Sequence, residues 1–460
     1  MRIHRLFISV FLLQFVLAFN GQAQIVFTKN YSIKQFQFTT KINQFDGSLY
    51  ILGDDRLGST ISQGFILKIK LNGDSVSYYL NNDSVRNDFI DMVKINKSFY
   101  IVGDVERAYG NYTDAYLYKL NEWDTTHLDR IQLSNGSSAE LVLKILASND
   151  NRLYNIGWYD LPSGNTYFSD IYVVKTDTNG NKIWSKTFGG NSTDYPMDAL
   201  FTNEGNILLT GATYSYITPP LPGGQLRTDA YVVCIDTANG NVLWQKHYNV
   251  NNSPVSGESL VSVCKSKTGG FILGGWWYND SLSTNPLYGG AAWIVKINDT
   301  GAVEWQKLFW DLTNPLKNKN WMSTSIKQIA EMKDGGIVFI SSSEDTVENQ
   351  FINKGFICKY NPICDTIVWR YDFGGLNGKF VAQAFTIMPD ESIYFVLENA
   401  WVNGGDIYLV KIDSTGKMIN ECLMHPPSFT NNYIPFPNPF TTEFTLQFSE
   451  QTDEVNLSMY

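Results

Sequence analysis

The chain has 460 residues, of which 43% are hydrophobic, 14% aromatic and only 17% charged, with a net charge of −10. Disordered chains are poor in aromatics and rich in charge, so disorder is excluded as the main state, and the Tyr, Phe, Trp, Thr, Asn and Gly usage points to β structure. The acidic balance and the lack of any basic run exclude a nucleic-acid-binding surface and argue against an anionic membrane surface.

Taken in chain order, residues 1–23 read as a secretory signal peptide. Arg2 and Arg5 precede an apolar run from Leu6 to Phe19, and Gly21-Gln22-Ala23 offers small residues for cleavage. No later stretch approaches the about twenty apolar residues of a membrane span, so no transmembrane segment is expected after cleavage.

Residues 24–423 carry one pattern seven times. A β-like segment ends in Gly53, Gly103, Gly157, Gly211 and Gly275, with degenerate copies ending at Ser341 and Leu397. A second segment follows and ends at Lys68, Lys119, Lys175, Cys234, Lys296, Lys359 and Lys411, positions 51 to 63 residues apart. Then comes a polar turn, such as Asp177-Thr178-Asn179-Gly180 or Asn298-Asp299-Thr300-Gly301, in which Gly and Asn tolerate positive φ. A further segment places Trp184, Trp244, Trp305 and Trp369 at one position, and another apolar stretch precedes each glycine segment. Each unit thus offers four short strands, A to D. The expected fold is all-β, a seven-bladed β-propeller of four-stranded blades, with the tryptophans as structural anchors between blades. Phe27-Thr28-Lys29-Asn30-Tyr31 matches the fourth segments of later copies, so the strand over 25–31 is expected to complete the last blade.

The repeats resemble those of Trp-anchored propellers, including the quinoprotein type, whose docking motif is close to Asp236-Thr237-Ala238-Asn239-Gly240-Asn241-Val242-Leu243-Trp244. Quinoprotein dehydrogenases commonly use adjacent cysteines near the cofactor; no two cysteines are adjacent here, so the resemblance does not imply their redox chemistry. After a linker over 424–433, residues 434–460 resemble the start of the type A sorting domain of the Bacteroidetes type IX secretion system. The resemblance rests on Pro437-Asn438-Pro439-Phe440 and the alternating segments after it. It implies the type IX machinery as partner, and a secreted or outer-membrane-surface location. The family domain runs about three times as long as this 27-residue stretch, so the sorting domain is partial.

Chemical motifs are sparse. Five cysteines (Cys234, Cys264, Cys358, Cys364, Cys422) exclude a disulfide-stapled scaffold; Cys358 and Cys364 either pair around a turn or stay unpaired. No cofactor is expected, since the histidines lack ligand spacing and no nucleophile-elbow, zincin or P-loop motif occurs. The Asp-bearing turns read mainly as turn formers but allow a structural Ca²⁺. In the fourth and fifth units the connections after the glycine segments are long, and neighbouring connections are rich in aromatics. Trp158, Tyr159, Tyr214, Tyr216, Trp276, Trp277, Tyr278, Trp310 and Trp321 form a candidate ligand-binding face. The expected function is a secreted or cell-surface binding propeller for glycan or protein, rather than an enzyme. The alternative is an extracellular polysaccharide-processing glycosidase or lyase, whose carboxyl pair cannot be picked from 45 acidic residues.

Overall fold

The computed structural model describes residues 28 to 416 except 32–36, 58–60, 74, 82–85, 107–112, 122–127, 134–139, 164–165, 216–227, 251–255, 280–289, 310–324, 348–349, 374–379 and 400–406. The chain divides into two units, Met1–Leu423 and Met424–Tyr460, and every described residue belongs to the first. The signal, linker and sorting-motif residues, Pro437 to Phe440 included, lie outside the described residues, as do Tyr216, Trp310, Trp321 and Cys422.

After β1 (Thr28–Tyr31), blade 1 is β2 (Gln37–Phe45), β3 (Ser48–Leu57), β4 (Ile61–Lys70) and β5 (Ser75–Leu80). Blade 2 is β6 (Asn87–Ile95), β7 (Ser98–Glu106), β8 (Thr113–Asn121) and β9 (Asp129–Gln132). Blade 3 is β10 (Glu140–Ala147), β11 (Leu153–Ser163), β12 (Thr166–Thr176) and β13 (Lys182–Phe188). Blade 4 is β14 (Asp194–Phe201), β15 (Ile207–Thr213), β16 (Asp229–Ile235) and β17 (Val242–Tyr248). Blade 5 is β18 (Ser256–Lys265), β19 (Phe271–Asn279), β20 (Gly290–Ile297) and β21 (Val303–Phe309). Blade 6 is β22 (Ser325–Glu331), β23 (Ile337–Val347), β24 (Gln350–Asn361) and β25 (Thr366–Phe373). Blade 7 is β26 (Phe380–Ile387), β27 (Ile393–Asn399) and β28 (Ile407–Ile412), with β1 paired antiparallel to β28 as its fourth strand, Thr28 opposite Val410. The fold is thus an all-β seven-bladed propeller of antiparallel four-stranded blades, and its ring is closed by strand exchange between the two ends.

Each repeated residue has a local physical reason. Every first strand carries a β-bulge, and the strand-B glycine faces it; a Cβ on Gly53, Gly103, Gly157, Gly211 or Gly275 would strike the facing carbonyl oxygen. Blades 6 and 7 keep the bulge opposite Ser341 and Leu397, so there the two strands accommodate a side chain. The motif lysine lies over a strand-B tyrosine, at 5.6 Å for Lys68 on Tyr50, 5.8 Å for Lys119 on Tyr100, 5.2 Å for Lys175 on Tyr154 and 5.3 Å for Lys411 on Tyr394. Where that partner is Ile272 or Val338, Lys296 and Lys359 instead pair with Glu304 at 2.8 Å and Asp334 at 2.6 Å.

Burial occurs between blades. Ile51 and Leu67 of blade 1 share a cluster with Tyr394, Val396 and Leu409 of blade 7, so the apolar ring also spans the closure. Trp184, Trp244 and Trp305 pack against the clusters between blades 3 and 4, 4 and 5, and 5 and 6. The indoles of Trp184, Trp244 and Trp369 border the next blade's turn: their ring carbons stand 3.0, 2.8 and 2.6 Å from where a Cβ on Gly240, Gly301 or Gly416 would lie. These glycines also have positive φ, so the turn and the packing both demand them. Cys358 and Cys364 do not pair: both are free thiols, the first buried in β24 and the second exposed in the following turn. Among the described residues no helix is long and apolar enough to cross a membrane.

Candidate functional site

In each blade strand B ends and strand C begins on the same rim where strand D ends and the next strand A begins. Of the residues expected to form a ligand face, Trp158, Tyr159, Tyr214, Trp276, Trp277 and Tyr278 are described, and they fall in the later part of β11 and β19 or just after β15, toward this rim. Trp158 is half-buried, its ring 5.4 Å from that of Tyr195 at 78°, and Tyr159 is half-buried 5.8 Å from Tyr172. Tyr214, Trp276 and Tyr278 are also half-buried. Trp277 is different: it is 2% exposed, inside the cluster between blades 4 and 5. Successive strand residues point to opposite faces, so the Trp-Trp pair divides between rim and core.

The same rim carries acidic residues at a recurring position. Residues at or near the start of strand C and of the next strand A meet: Thr113 Oγ1 donates to the Glu140 carbonyl at 3.2 Å, and the Ser169 amide to Thr193 Oγ1 at 3.5 Å. The Glu258 amide likewise donates to the Thr228 carbonyl at 2.8 Å. Beside these contacts stand Asp114 and Glu140, Asp170 and Asp194, and Asp229 and Glu258, all buried. In the middle pair the carboxyls converge on Gly189, where an added Cβ would strike both Asp170 Oδ1 and Asp194 Oδ2. Burial, and then the Asp194 charge, push Asp170 up to about 6. Burial also raises Asp194, although its Oδ2 accepts the Gly190 amide at 2.8 Å and the Ser215 hydroxyl at 2.7 Å. Asp194 is fully buried, and its Oδ1 has no hydrogen-bond donor among the described residues. The usable sequence signal was positional: an acid two residues before the strand-C aromatic, at Asp114, Asp170 and Asp229.

A second cluster lines the central channel. Just after each inner-strand bulge stand Lys41, Asp91, Lys144, Asp198, Ser262, Gln328 and Ala384, one per blade. Lys144 Nζ lies 2.9 Å from Asp198 and 3.7 Å from Asp91. Burial opposes the charge on Lys144, but the two aspartates outweigh it and raise its pKa. Asp198 is lowered despite its burial, by Lys144, Lys41 and the Val263 amide. Lys41 is lowered, first by the Lys144 charge and then by burial. On the bulge of blade 6, burial lowers Lys327 to about 8. Among the described residues no group of three or more His, Cys, Asp or Glu side chains is arranged to hold a metal ion.

The sequence matches no protein-family model and no curated protein. Among solved structures, a puromycin hydrolase matches with a TM-score of 0.50 and 11% identity over 85% of this chain and 54% of that one. The present chain therefore spans about half the length of that enzyme. The NanB sialidase from Streptococcus pneumoniae gives a TM-score of 0.42 at 11% identity, covering 86% of this chain and 71% of that one. Penicillium chrysogenum α-L-arabinanase complexed with arabinobiose gives 0.43 at 13%, covering 69% and 94%. The first of these matches corrects the expectation that the chain is not an enzyme: a hydrolase contains a similar scaffold, so lack of a familiar motif is no ground for setting catalysis aside. At such identity the likeness establishes the fold alone. A catalytic assignment has to come from the residues of the site.

Proposed function

We propose that this chain is an exported hydrolase acting on glycans, with Asp170 and Asp194 as its carboxyl pair. The observation carrying this reading is the convergence of the two carboxyls at Gly189, with Asp170 held near 6, on the rim that bears Trp158, Tyr159 and Tyr195. A carboxyl titrating near 6 keeps a proton to give to a departing glycosidic oxygen. Asp194, whose Oδ2 receives two hydrogen bonds and stands close to Asp170 Oδ1, suits the second role of a retaining pair: it adds to the anomeric carbon as the glycosidic bond breaks, and a water deprotonated by Asp170 then displaces it from the sugar. The half-buried rings offer faces on which a sugar can stack.

Export rests on residues 1–23 as a signal peptide and on the resemblance of Pro437 to Phe440 to a type IX sorting motif. These support release at, or attachment to, the surface of a Bacteroidetes-type cell. The hydrolase reading is tested by measuring reducing-end release by the purified chain across a polysaccharide panel. Asp170→Asn should lower turnover about 100-fold or more with the fold intact by circular dichroism. Equal turnover in the variant overturns the assignment.

A second reading has one observation in its favour. Asp194 Oδ1 is buried without a donor, and a Ca²⁺ between the two carboxylates would satisfy it. In that case adding Ca²⁺ after chelation raises the unfolding midpoint of the wild type and not of Asp194→Asn; a midpoint indifferent to Ca²⁺ removes this reading.

A further inference from the structure

Asp194 is held by the bend that follows its partner strand. Strand β15 places Thr213 directly opposite Asp194, and the chain then bends through Tyr214 to Ser215. Two bonds tie this bend to the segment before Asp194: the Tyr214 amide donates to the Thr193 carbonyl at 2.9 Å, and the Ser192 amide to Ser215 Oγ at 3.0 Å. The Ser215 amide donates back to Thr213 Oγ1 at 3.0 Å, which fixes the bend itself. Ser215 Oγ then meets two acceptors with a single hydrogen, Asp194 Oδ2 at 2.7 Å and the Ser192 carbonyl at 3.1 Å. The equivalent acids of the neighbouring blades have different surroundings. Glu140 stands opposite Tyr159, with Asp160 and Leu161 next in the chain, and Glu258 opposite Trp277, with Tyr278 and Asn279 next. Of these three acids, only Asp194 has a Thr-x-Ser run beside it.

We infer that Ser215 is the positioning residue of Asp194, a hydroxyl that donates to the carboxylate while it is charged and turns to the Ser192 carbonyl when it is esterified. A hydrogen bond to an ionised acceptor is about twice as strong as one to a neutral acceptor, so the single hydrogen follows the charge. Oδ2 is held by Ser215 and by the Gly190 amide at 2.8 Å. Oδ1, which has no donor among the described residues, is therefore the oxygen left to add to the anomeric carbon. In the first step the glycosidic bond breaks, Asp170 gives its proton to the leaving oxygen, and the bond from Asp194 to the sugar forms and removes the charge. In the second, Asp170 takes a proton from water, the water oxygen bonds to the sugar, and the bond to Asp194 breaks and returns the charge to its carboxylate. Ser215 thus favours the second step, in which its acceptor becomes an anion, over the first. That role rests on the hydrolase reading; the bond between Ser215 and Asp194 does not.

The test uses the full chain and the dinitrophenyl glycosides of glucose, galactose, mannose and xylose, whose good leaving group makes release of the sugar from Asp194 the slow step. Ser215→Ala should lower kcat about tenfold or more, as expected for loss of a charge-assisted hydrogen bond, and KM by the same factor, leaving kcat/KM unchanged. The glycosyl group should then accumulate on the peptide that carries Asp194, read by mass spectrometry. Ser215→Thr, which keeps the hydroxyl, should restore kcat. If the alanine variant does not fold, Ser215→Cys, a weaker donor of similar shape, should give the same split. A fall in kcat/KM without accumulation, or a kcat equal to that of the wild type, overturns the proposal while the hydrolase reading stands. If the wild type cleaves none of the glycosides, the hydrolase reading falls, and the bond is judged by unfolding. Ser215→Ala should lower the midpoint of the wild type and leave that of Asp194→Ala almost unchanged; equal shifts in both backgrounds overturn the bond too.

Discussion

At one inner-strand register, blades 1 to 4 present Lys41, Asp91, Lys144 and Asp198, whereas blades 5 to 7 present Ser262, Gln328 and Ala384. Both halves face one backbone problem, an amide on the next blade's inner strand that needs an acceptor. Ser262 Oγ accepts from the Ile329 amide at 3.3 Å and Gln328 Oε1 from the Phe385 amide at 2.8 Å. Asp91 and Asp198 do the same for Ile145 at 3.3 Å and Val263 at 3.1 Å. After a blade that offers a lysine, which cannot accept, the aspartate also caps its own neighbour: Asp91 Oδ1 takes the Met92 amide and Asp198 Oδ1 the Ala199 amide, both at 2.9 Å. The latch between blades thus belongs to the register, and any acceptor serves it. Charge adds a second duty, pairing across the channel, and only one half carries it.

The largest effect should come from opening the ring on which both halves depend. Deleting residues 24–32 removes β1, leaves the β28 edge unpaired and should cost on the order of 5 kcal/mol, read as a sharply lower unfolding midpoint. A midpoint equal to that of the wild type would show that strand exchange contributes nothing to closure. Next is Asp198→Ala, which removes the 2.9 Å partner of Lys144 together with the acceptor of two amides. A loss of about 3 kcal/mol by chemical denaturation is expected; a loss below about 1 kcal/mol would reduce the charged half to the same latch as the neutral half.

Lys327→Met tests the comparison in the opposite direction. Folded Lys327 titrates near 8 against an ordinary 10.5, so the unfolded state binds the proton more tightly and wild-type stability should rise as pH climbs between these values. The variant should be more stable at pH 7 by about 1 to 2 kcal/mol, a figure reduced for the lysine's partial exposure, and should lack that rise. A parallel pH profile for the two proteins counts against a depressed lysine. The smallest effect is expected from Ser262→Ala, which strips one latch from the neutral half and should cost about 1 kcal/mol. Together with Asp198→Ala it measures what charge adds to the shared register.

Much of the architecture was legible in the sequence because its causes are local and repeated. A glycine faces the bulge in five blades, a lysine lies over a tyrosine in four and a tryptophan borders the next turn in three, each at the same place in its unit, so their spacing counts the blades. The rim was only partly legible. Trp276 and Trp277 are neighbours of one chemical type, yet the first is half-buried and the second belongs to the core; composition cannot say which face of a strand looks inward. The carboxyl pair was hidden for another reason. Asp170 lies within β12 of blade 3 and Asp194 opens β14 of blade 4, and nothing in the sequence between them says that the two meet.

The sequence alone therefore determined the number of blades and their four-stranded plan, since each is written in contiguous residues. The tertiary structure decided which carboxyls meet, which lysine pairs with two aspartates and which acceptor latches one blade to the next. Those relations link residues on different blades. Residues as unlike as Asp198, Ser262 and Gln328 fill one role only because ring closure brings the same backbone amide to each of them.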